Sequence, residues 1–297
     1  MAGFVVGSNS ISSSIKVLRK NIYLPDRIIR NVDNRIATKD ALTSKTIFST
    51  IDHNTSTYIR NTNNWAYDLD LTPISVWNSE SGGAKCGVLV SPRHIMLAAH
   101  YSIPIGSTIR FVTKNNVVIT RTIIDLQNHP DYQPYYPDIC IELLDSDVPS
   151  DISYVKLLPS NFSSKTTIEG GSLNIVNVPH PALCLNQSKD AIIKDWSGNS
   201  FLIHTTGPGP NYMYPVSVFI APTDAKRLAY NQNIVTGDSG SPIFFIIDGE
   251  LVLVALWLTP AHATWINNVI DDINPIMNSL GGGYNISTIN LDHFTNI

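Results

Sequence analysis

The sequence predicts an all-β fold, either a sandwich or a barrel. From residue 65 to about residue 260, short apolar runs alternate with polar turns, and helical periodicity is missing. Hydrophobic residues make up 43% of the 297 residues and charged residues only 15%, so the chain can bury a large core. One amphipathic helix is expected, near the C-terminal end.

Residues 1–65 differ from the rest of the chain. They are rich in Ser, Thr, Asn and Ile, hold few aromatic residues and show weak periodicity. We interpret them as an N-terminal extension, which is a tether, a pro-segment or a small β module. The sequence does not choose among these, and part of the segment is free to wrap the domain that follows.

Residues 66–297 form the main domain, whose first half is about 66–150. The turn motifs SPRH and KNN each separate two apolar runs, which predicts two hairpins. The predicted strands of this half are 74–77, 87–90, 95–99, 108–113, 117–124 and 139–144. The polar segment 145–165 is expected to connect it to the second half.

The second half, about 165–262, repeats this pattern of strands and turns. Its predicted strands are 172–178, 191–194, 200–205, 216–220, 243–247 and 251–258. The motif GPGP at 207–210 cannot form regular structure and predicts a loop.

Residues 263–297 hold the expected helix and a tail. The apolar face of the helix is formed by Ile266, Val269, Ile270, Ile273, Ile276, Met277 and Leu280. Thr264 is expected to cap the helix, Asn274-Pro275 to restart it and the glycines at 281–283 to end it. A stripe of this kind indicates packing against the domain.

Composition and motifs disfavour several classes of function. The net charge is −4 and no basic block occurs, so neither nucleic acid nor a membrane is an expected partner. The longest apolar run, 251–258, is too short to span a bilayer, and the first residues lack a basic n-region, so no signal peptide is expected. Motifs for zinc, phosphate or dinucleotide binding are missing, so no metal or other cofactor is expected.

The three cysteines, Cys86, Cys140 and Cys184, are far apart and odd in number. They form no CxxC pair, so we interpret them as buried free thiols. Such cysteine usage fits a reducing compartment. We therefore expect a cytoplasmic protein, or a component of an assembly formed in the cytoplasm.

The motif TGDSGSP at 236–242 is the strongest candidate for chemistry. It places Ser239 between two glycines, which permit a sharp turn with free main-chain N–H groups. A serine is a poor nucleophile unless a base takes its proton, so the motif requires a histidine and an acid elsewhere. The alternative is a simple turn before a strand.

His100 and Asp138 are the candidate base and orienting acid. His100 ends the apolar segment IMLAAH, and Asp138 opens the apolar strand DICIELL. An aspartate is costly to bury there unless it is hydrogen-bonded, and accepting a proton from an imidazole would satisfy it. The alternatives are a core histidine and a turn or cap aspartate.

In this order and these contexts, His100, Asp138 and Ser239 resemble the chymotrypsin-like (trypsin-fold) serine peptidases. LAAH is similar to the family's T/S-A-A-H motif, DICIELL to D-I-x-L-x-x-L, and GDSGSP to G-D-S-G-G-P with one substitution. The segments CGVLVSP, NHPDY and VKLLP also resemble family segments. The resemblance covers roughly residues 66–280.

The resemblance implies two antiparallel Greek-key β-barrels with a C-terminal helix, and serine endopeptidase activity through an acyl-enzyme. Ser239 would attack the scissile carbonyl of a polypeptide substrate, His100 would carry its proton, and Asp138 would stabilise the imidazolium. The backbone N–H groups of Gly237 and Ser239 would form the oxyanion hole.

The chain departs from the family at a disulfide bridge and in the substrate-binding pocket. Tyr101 stands where the family has the cysteine that would pair with Cys86, so the usual bridge is absent. Asn233 stands at the floor of the family's primary specificity pocket, which implies no preference for Arg or Lys. Leu256-Trp257-Leu258 replaces the family's S-W-G strand, so a hydroxyl beside the aspartate is lost and the pocket entrance is narrowed.

Two functions stay open at this point. The first is an active serine endopeptidase, with an esterase on the same residues as a variant. The second is a catalytically weak or inactive module of the protease fold that binds a larger assembly, such as a virion, through residues 1–65. In zymogen relatives a freed N-terminal amine pairs with the aspartate before the nucleophile, here Asp238, but the sequence near Trp65 lacks the basic-Ile-Val-Gly junction of that route.

Overall fold

A computed structural model of the chain describes residues 22–77, 85–132, 136–166, 180–204 and 212–296. The helices are α1 (Leu24–Ile36), α2 (Ala41–Ser44), α3 (Ala225–Leu228) and α4 (Ile270–Leu280). The strands β1 to β7 are Phe48–Asp52, Thr57–Arg60, Val88–Leu89, His94–Leu97, Thr108–Val112, Val118–Asn128 and Cys140–Leu144. The strands β8 to β14 are Lys156–Leu157, His180–Leu185, Ala191–His204, Tyr212–Ile220, Pro242–Ile247, Glu250–Trp257 and His262–Trp265.

The second half of the chain forms a closed six-stranded barrel. Its strands follow the order β9-β10-β11-β14-β13-β12, and β12 pairs with β9 to close the ring. Numbered along the chain, this order is 1-2-3-6-5-4, which is a Greek-key arrangement. The short strand β8 pairs in parallel with β13.

The first half forms a curled sheet of order β3-β4-β7-β6-β5. The extended segment 74–77 contacts both edges of this sheet. Ser75 N donates to Gly87 O over 3.0 Å, and Val76 N donates to Arg110 O over 2.8 Å. With that segment counted first, the order is again 1-2-3-6-5-4, so both halves follow the same Greek-key path.

The predicted all-β class, with two barrels and a small C-terminal helix, is therefore confirmed. The predicted strands at 191–194 and 200–205 are one continuous strand, β10. The predicted strand at 172–178 and the loop at 207–210 lie outside the described residues.

The strands β9 and β14 were not predicted from the sequence. Pro181 made the start of β9 look like a loop, because proline cannot donate to a sheet. It is tolerated because β12 pairs with β9 only at Leu183 and Cys184, which leaves Pro181 bonded to β10 alone. β14 lies where the sequence predicted the start of the C-terminal helix.

The helix α1 forms where the sequence predicted an extension of weak periodicity. Leu24, Ile28, Val32 and Ile36 recur every four residues, and each has 0% exposed surface. This stripe packs against β9 and β12 of the closed barrel. Burying a side chain of this size stabilises a fold by about 1.5–3 kcal/mol, so α1 belongs to the folded body.

The part of the N-terminal segment that follows α1, residues 37–65, is bound to both barrels. Ala191 N donates to Lys45 O over 2.9 Å, and Trp65 Nε1 donates to Ala191 O over 2.7 Å. The Arg60 guanidinium donates to Thr113 O over 3.1 Å in the first barrel. The described residues 22–65 thus wrap the main domain.

The C-terminal helix begins later than predicted. Thr264 lies in β14, and α4 begins at Ile270 after a short 3-10 turn, without a side-chain cap. Asn274-Pro275 does not restart the helix, because α4 runs through Pro275 as one element. Gly281 ends it at φ +91, a conformation that glycine adopts without strain.

Candidate active site

His100 and Asp138 form a hydrogen-bonded pair in the first barrel. The Nδ1 atom of His100 lies 2.6 Å from Asp138 Oδ2, and the backbone N–H of His100 donates to Asp138 Oδ1 over 2.9 Å. The Asp138 side chain has 0% exposed surface and that of His100 has 27%. A carboxylate in this position favours the imidazole tautomer with its proton on Nδ1, which leaves Nε2 able to accept one.

The pairing of β4 with β7 brings the two side chains together. The strands are antiparallel, with Leu97 opposite Cys140. His100 follows β4 in a 3-10 turn and Asp138 precedes β7, so both lie at the same end of the strand pair. The intervening Ala98 is fully buried, and its small side chain lets the second barrel approach.

Ser239 lies in a tight loop before β12. Gly237 has φ +99 and Gly240 has φ +77, and L side chains rarely adopt either conformation. Gly240 N donates to Trp257 O over 2.9 Å, which attaches the loop to β13. The turn therefore requires both glycines of the motif.

The contact between Gly240 and Ala98 brings Ser239 to the His100 end of the first barrel. A Cβ atom at position 240 would lie 3.1 Å from the backbone N of Ala98, so the barrels meet closely here. Ser239 precedes Gly240, and His100 follows Ala98 by two residues. Within the described residues no hydrogen bond joins Ser239 to His100, and in unliganded sites such bonds often tighten only when substrate binds.

Both carboxylate oxygens of Asp238 accept hydrogen bonds from backbone groups of the fold. It is 1% exposed. Its Oδ1 accepts from Gln187 N over 2.8 Å, and its Oδ2 accepts from Val235 N over 2.7 Å. A buried carboxylate requires such bonds, and both oxygens obtain them here without a freed N-terminal amine.

The backbone N–H groups of Gly237 and Ser239 lie in this loop. Among the hydrogen bonds of the described residues, neither group donates to another atom. Two free donors beside a serine can stabilise an oxyanion. The Gln187 side chain lies over the loop, and its Nε2 donates to Thr236 O over 2.9 Å.

The residues predicted to form the substrate pocket differ in exposure. Asn233 is exposed, so the structure gives no support to its assignment as the floor of an enclosed pocket. Leu256 and Trp257 have 0% exposed surface, and Leu258 has 4%. Trp257 packs edge-on against Phe219, with ring centroids 5.6 Å apart. These three residues pack in the core at the end of β13.

Glu142 is a buried acid near the site that the sequence analysis passed over. It has 0% exposed surface in β7, and its Oε1 accepts from Ile103 N over 2.7 Å, while Oε2 has no hydrogen-bond partner among the described residues. Burial raises the pKa of this carboxyl to about 8, against the opposing effects of the Ile103 N–H and the Lys85 charge. Ile103 follows His100 by three residues, so Glu142 holds the segment after the histidine. The sequence signal that could have identified Glu142 is the presence of an acidic residue inside the apolar run 139–144.

The three cysteines are free and buried. Cys86 Sγ lies 3.7 Å from Ser241 Oγ, and burial raises the pKa of Cys86 to about 12. Burial also raises the pKa values of Cys140 and Cys184, so none is suited to act as a thiolate nucleophile.

Metal-binding clusters and membrane-spanning helices are both missing from the described part of the chain. No group of three or more His, Cys, Asp and Glu side chains there could hold a metal ion. None of its helices is long and apolar enough to cross a membrane.

Gln187 is a second residue that sequence reasoning missed. Its contacts are to a loop about 50 residues away along the chain, and no local motif marks it.

Comparison of the chain with protein-family models and with curated proteins found no match.

Proposed function

We propose that the protein is a serine endopeptidase in which Ser239, His100 and Asp138 act together through an acyl-enzyme. The observation that carries the proposal is the fully buried Asp138 carboxylate, paired at 2.6 Å with a partly exposed His100 beside the Ser239 loop. A buried carboxylate that orients an imidazole in this way is the arrangement that activates a serine hydroxyl.

In this mechanism Ser239 Oγ attacks the scissile carbonyl as His100 Nε2 takes its proton. The imidazolium then gives the proton to the leaving amine, and Asp138 stabilises its charge throughout. The N–H groups of Gly237 and Ser239 hold the oxyanion, and losing one such donor costs about 100- to 1,000-fold in turnover. Water, activated by the same His100, hydrolyses the acyl-enzyme.

The substrate is a polypeptide without an Arg or Lys preference at the cleaved residue. The support for this is the family resemblance, which assigns the neutral amide of Asn233 to the pocket floor in place of a carboxylate and the bulky Leu258 to the pocket entrance. The three free, buried cysteines support synthesis in a reducing compartment, namely the cytoplasm or an assembly formed there.

A protease-fold module with a weak or unused site is the second candidate. The close packing of Leu256, Trp257 and Leu258 favours it, because buried residues at the end of β13 leave little lining for a substrate side chain. Such a module would retain the fold for binding within a larger assembly.

Labelling with a fluorophosphonate probe tests the proposal, because the probe reacts with activated serines. The wild-type protein should be labelled, and Ser239→Ala and His100→Ala should not. The matched control is His293→Ala, which removes another histidine–aspartate pair (His293 Nε2 to Asp248 Oδ2, 2.8 Å) at an exposed position. Folded wild-type protein that stays unlabelled would favour the inactive module.

A substrate screen then separates the two hydrolase activities. A peptide library should yield cleavage after small, uncharged residues. Hydrolysis of p-nitrophenyl esters without cleavage of any peptide would instead identify an esterase.

A further inference from the structure

The loop between β9 and β10 lies against the segment Thr236–Asp238 that precedes the nucleophile, and Gln187 of this loop hydrogen-bonds to that segment. Its backbone N donates to Asp238 Oδ1 over 2.8 Å, and its side-chain Nε2 donates to Thr236 O over 2.9 Å. The side chain also limits position 237, since a Cβ atom there would lie 2.8 Å from Gln187 Oε1. Both ends of the Thr236–Asp238 segment are thus held by one residue from another hairpin.

From these contacts we propose that Gln187 is a positioning residue that keeps the Gly237 N–H directed at the oxyanion. The inference rests on the proposed serine hydrolase function and adds a residue to it. Gln187 touches neither the nucleophile nor the base in the described contacts, so it acts through the peptide unit that joins Thr236 to Gly237.

The planarity of the peptide bond links the two groups. The Thr236 carbonyl and the Gly237 N–H belong to one peptide unit, and in a trans peptide they point in opposite directions. The one cis bond among the described residues is Tyr136-Pro137, so the 236–237 peptide is trans. A hydrogen bond that holds Thr236 O on the Gln187 side therefore holds the Gly237 N–H on the opposite side.

Glycine at 237 makes such a restraint necessary. Without a Cβ atom, glycine occupies several regions of backbone conformation at similar energy, so the peptide before it can rotate. A rotated peptide would turn the Thr236 carbonyl toward the site and remove one donor from the oxyanion hole. The amide of Gln187 opposes that rotation because it donates to the carbonyl in one orientation only.

Two substitutions test the role of the side-chain donor. Gln187→Met keeps the length of the side chain and removes the donor, and Gln187→Glu places a carboxylate against the Thr236 carbonyl. Both retain the backbone bond to Asp238. The matched control is Gln127→Glu in β6, whose Oε1 accepts from Ser279 Oγ and remains an acceptor after the change.

The measurements are kcat and KM for p-nitrophenyl acetate, the affinity for phenylboronic acid as a tetrahedral analogue, and the thermal midpoint. We expect both Gln187 variants to lose about 10- to 100-fold in kcat and in phenylboronate affinity, with KM within about twofold of wild type. Glu should be the more damaging replacement. The Gln127 variant should match wild type in all three measurements.

Three outcomes would overturn the inference. Variants with wild-type kcat would show that the peptide is held without Gln187, and a loss confined to KM would assign Gln187 to substrate binding. A fall in kcat that only follows a lowered thermal midpoint in both variants would show a purely structural role. A wild-type protein that does not react with fluorophosphonate would instead remove the proposed function, and this inference with it.

Discussion

Replacing Glu142 by Gln should make the stability of the protein less dependent on pH. The carboxyl is buried in β7, and its pKa is raised from 4.5 to about 8 by that burial. Between these two pH values the unfolded chain releases the proton while the folded chain keeps it. The contribution of Glu142 to the free energy of unfolding therefore falls as pH rises from about 4.5 to about 8 and is not reduced further above that.

The expected size of the effect follows from the same two pKa values. The interval from 4.5 to about 8, at about 1.4 kcal/mol for each pKa unit, sets an upper bound of about 5 kcal/mol on the loss at pH 8. Glu142→Gln introduces a buried amide. The amide atom in the place of Glu142 Oε2 would have no hydrogen-bond partner among the described residues, and this lowers stability by about 1–3 kcal/mol at every pH. The slope with pH, rather than the absolute stability, is therefore the quantity to compare.

Urea unfolding at pH 5, 6, 7 and 8 measures that slope. The stability of Glu142→Gln relative to wild type should rise by a few kcal/mol across this range. The control is Glu250→Gln, since the Glu250 side chain is 50% exposed and pairs with Lys156 at the surface. A difference between wild type and Glu142→Gln that stays constant from pH 5 to pH 8 would refute the reasoning.

Other variants probe the His100–Asp138 pair, the loop around Gly237 and the helix α1. Asp138→Asn should lower kcat by about 10⁴-fold through the wrong His100 tautomer, with the thermal midpoint nearly unchanged; equal fluorophosphonate labelling rates would contradict this. Gly237→Ala should lower kcat about 100- to 1,000-fold, because φ +99 disfavours alanine; activity within twofold of wild type would exclude the oxyanion role. Ile28→Ala should cost about 2–5 kcal/mol in urea unfolding, whereas Leu42→Ala, at an 88% exposed position, should cost under about 0.5 kcal/mol. A small loss for Ile28→Ala would show that α1 is not docked.

Local sequence signals were sufficient to predict most of the strands in the two large sheets and to select the candidate site residues. The turns SPRH and KNN separate β3 from β4 and β5 from β6, because short polar turns between apolar runs define hairpins without help from the rest of the fold. The glycines around Ser239 are likewise explained by the turn itself.

Features that depend on distant contacts were not predictable in this way. The four-residue stripe of α1 is narrow, with Arg and Asp between its apolar residues, and it is recognisable only against the barrel that it covers. Glu142 is tolerated in an apolar strand because Ile103 N, from another segment, binds it. The contacts of Gln187 join two loops that are distant in the sequence and that the closure of the barrel brings together.

The docking of α1 has a consequence for synthesis of the chain on the ribosome. Its partners β9 and β12 end at Leu185 and Ile247, so the last of them follows Ile36 by 211 residues (247 minus 36). At about 5–20 residues per second, translation of that length takes about 10–40 seconds. During this interval the apolar stripe of α1 has no barrel to cover, which makes it a site for chaperones or for premature association. Helix α1 thus leaves the ribosome well before the strands that complete its contacts.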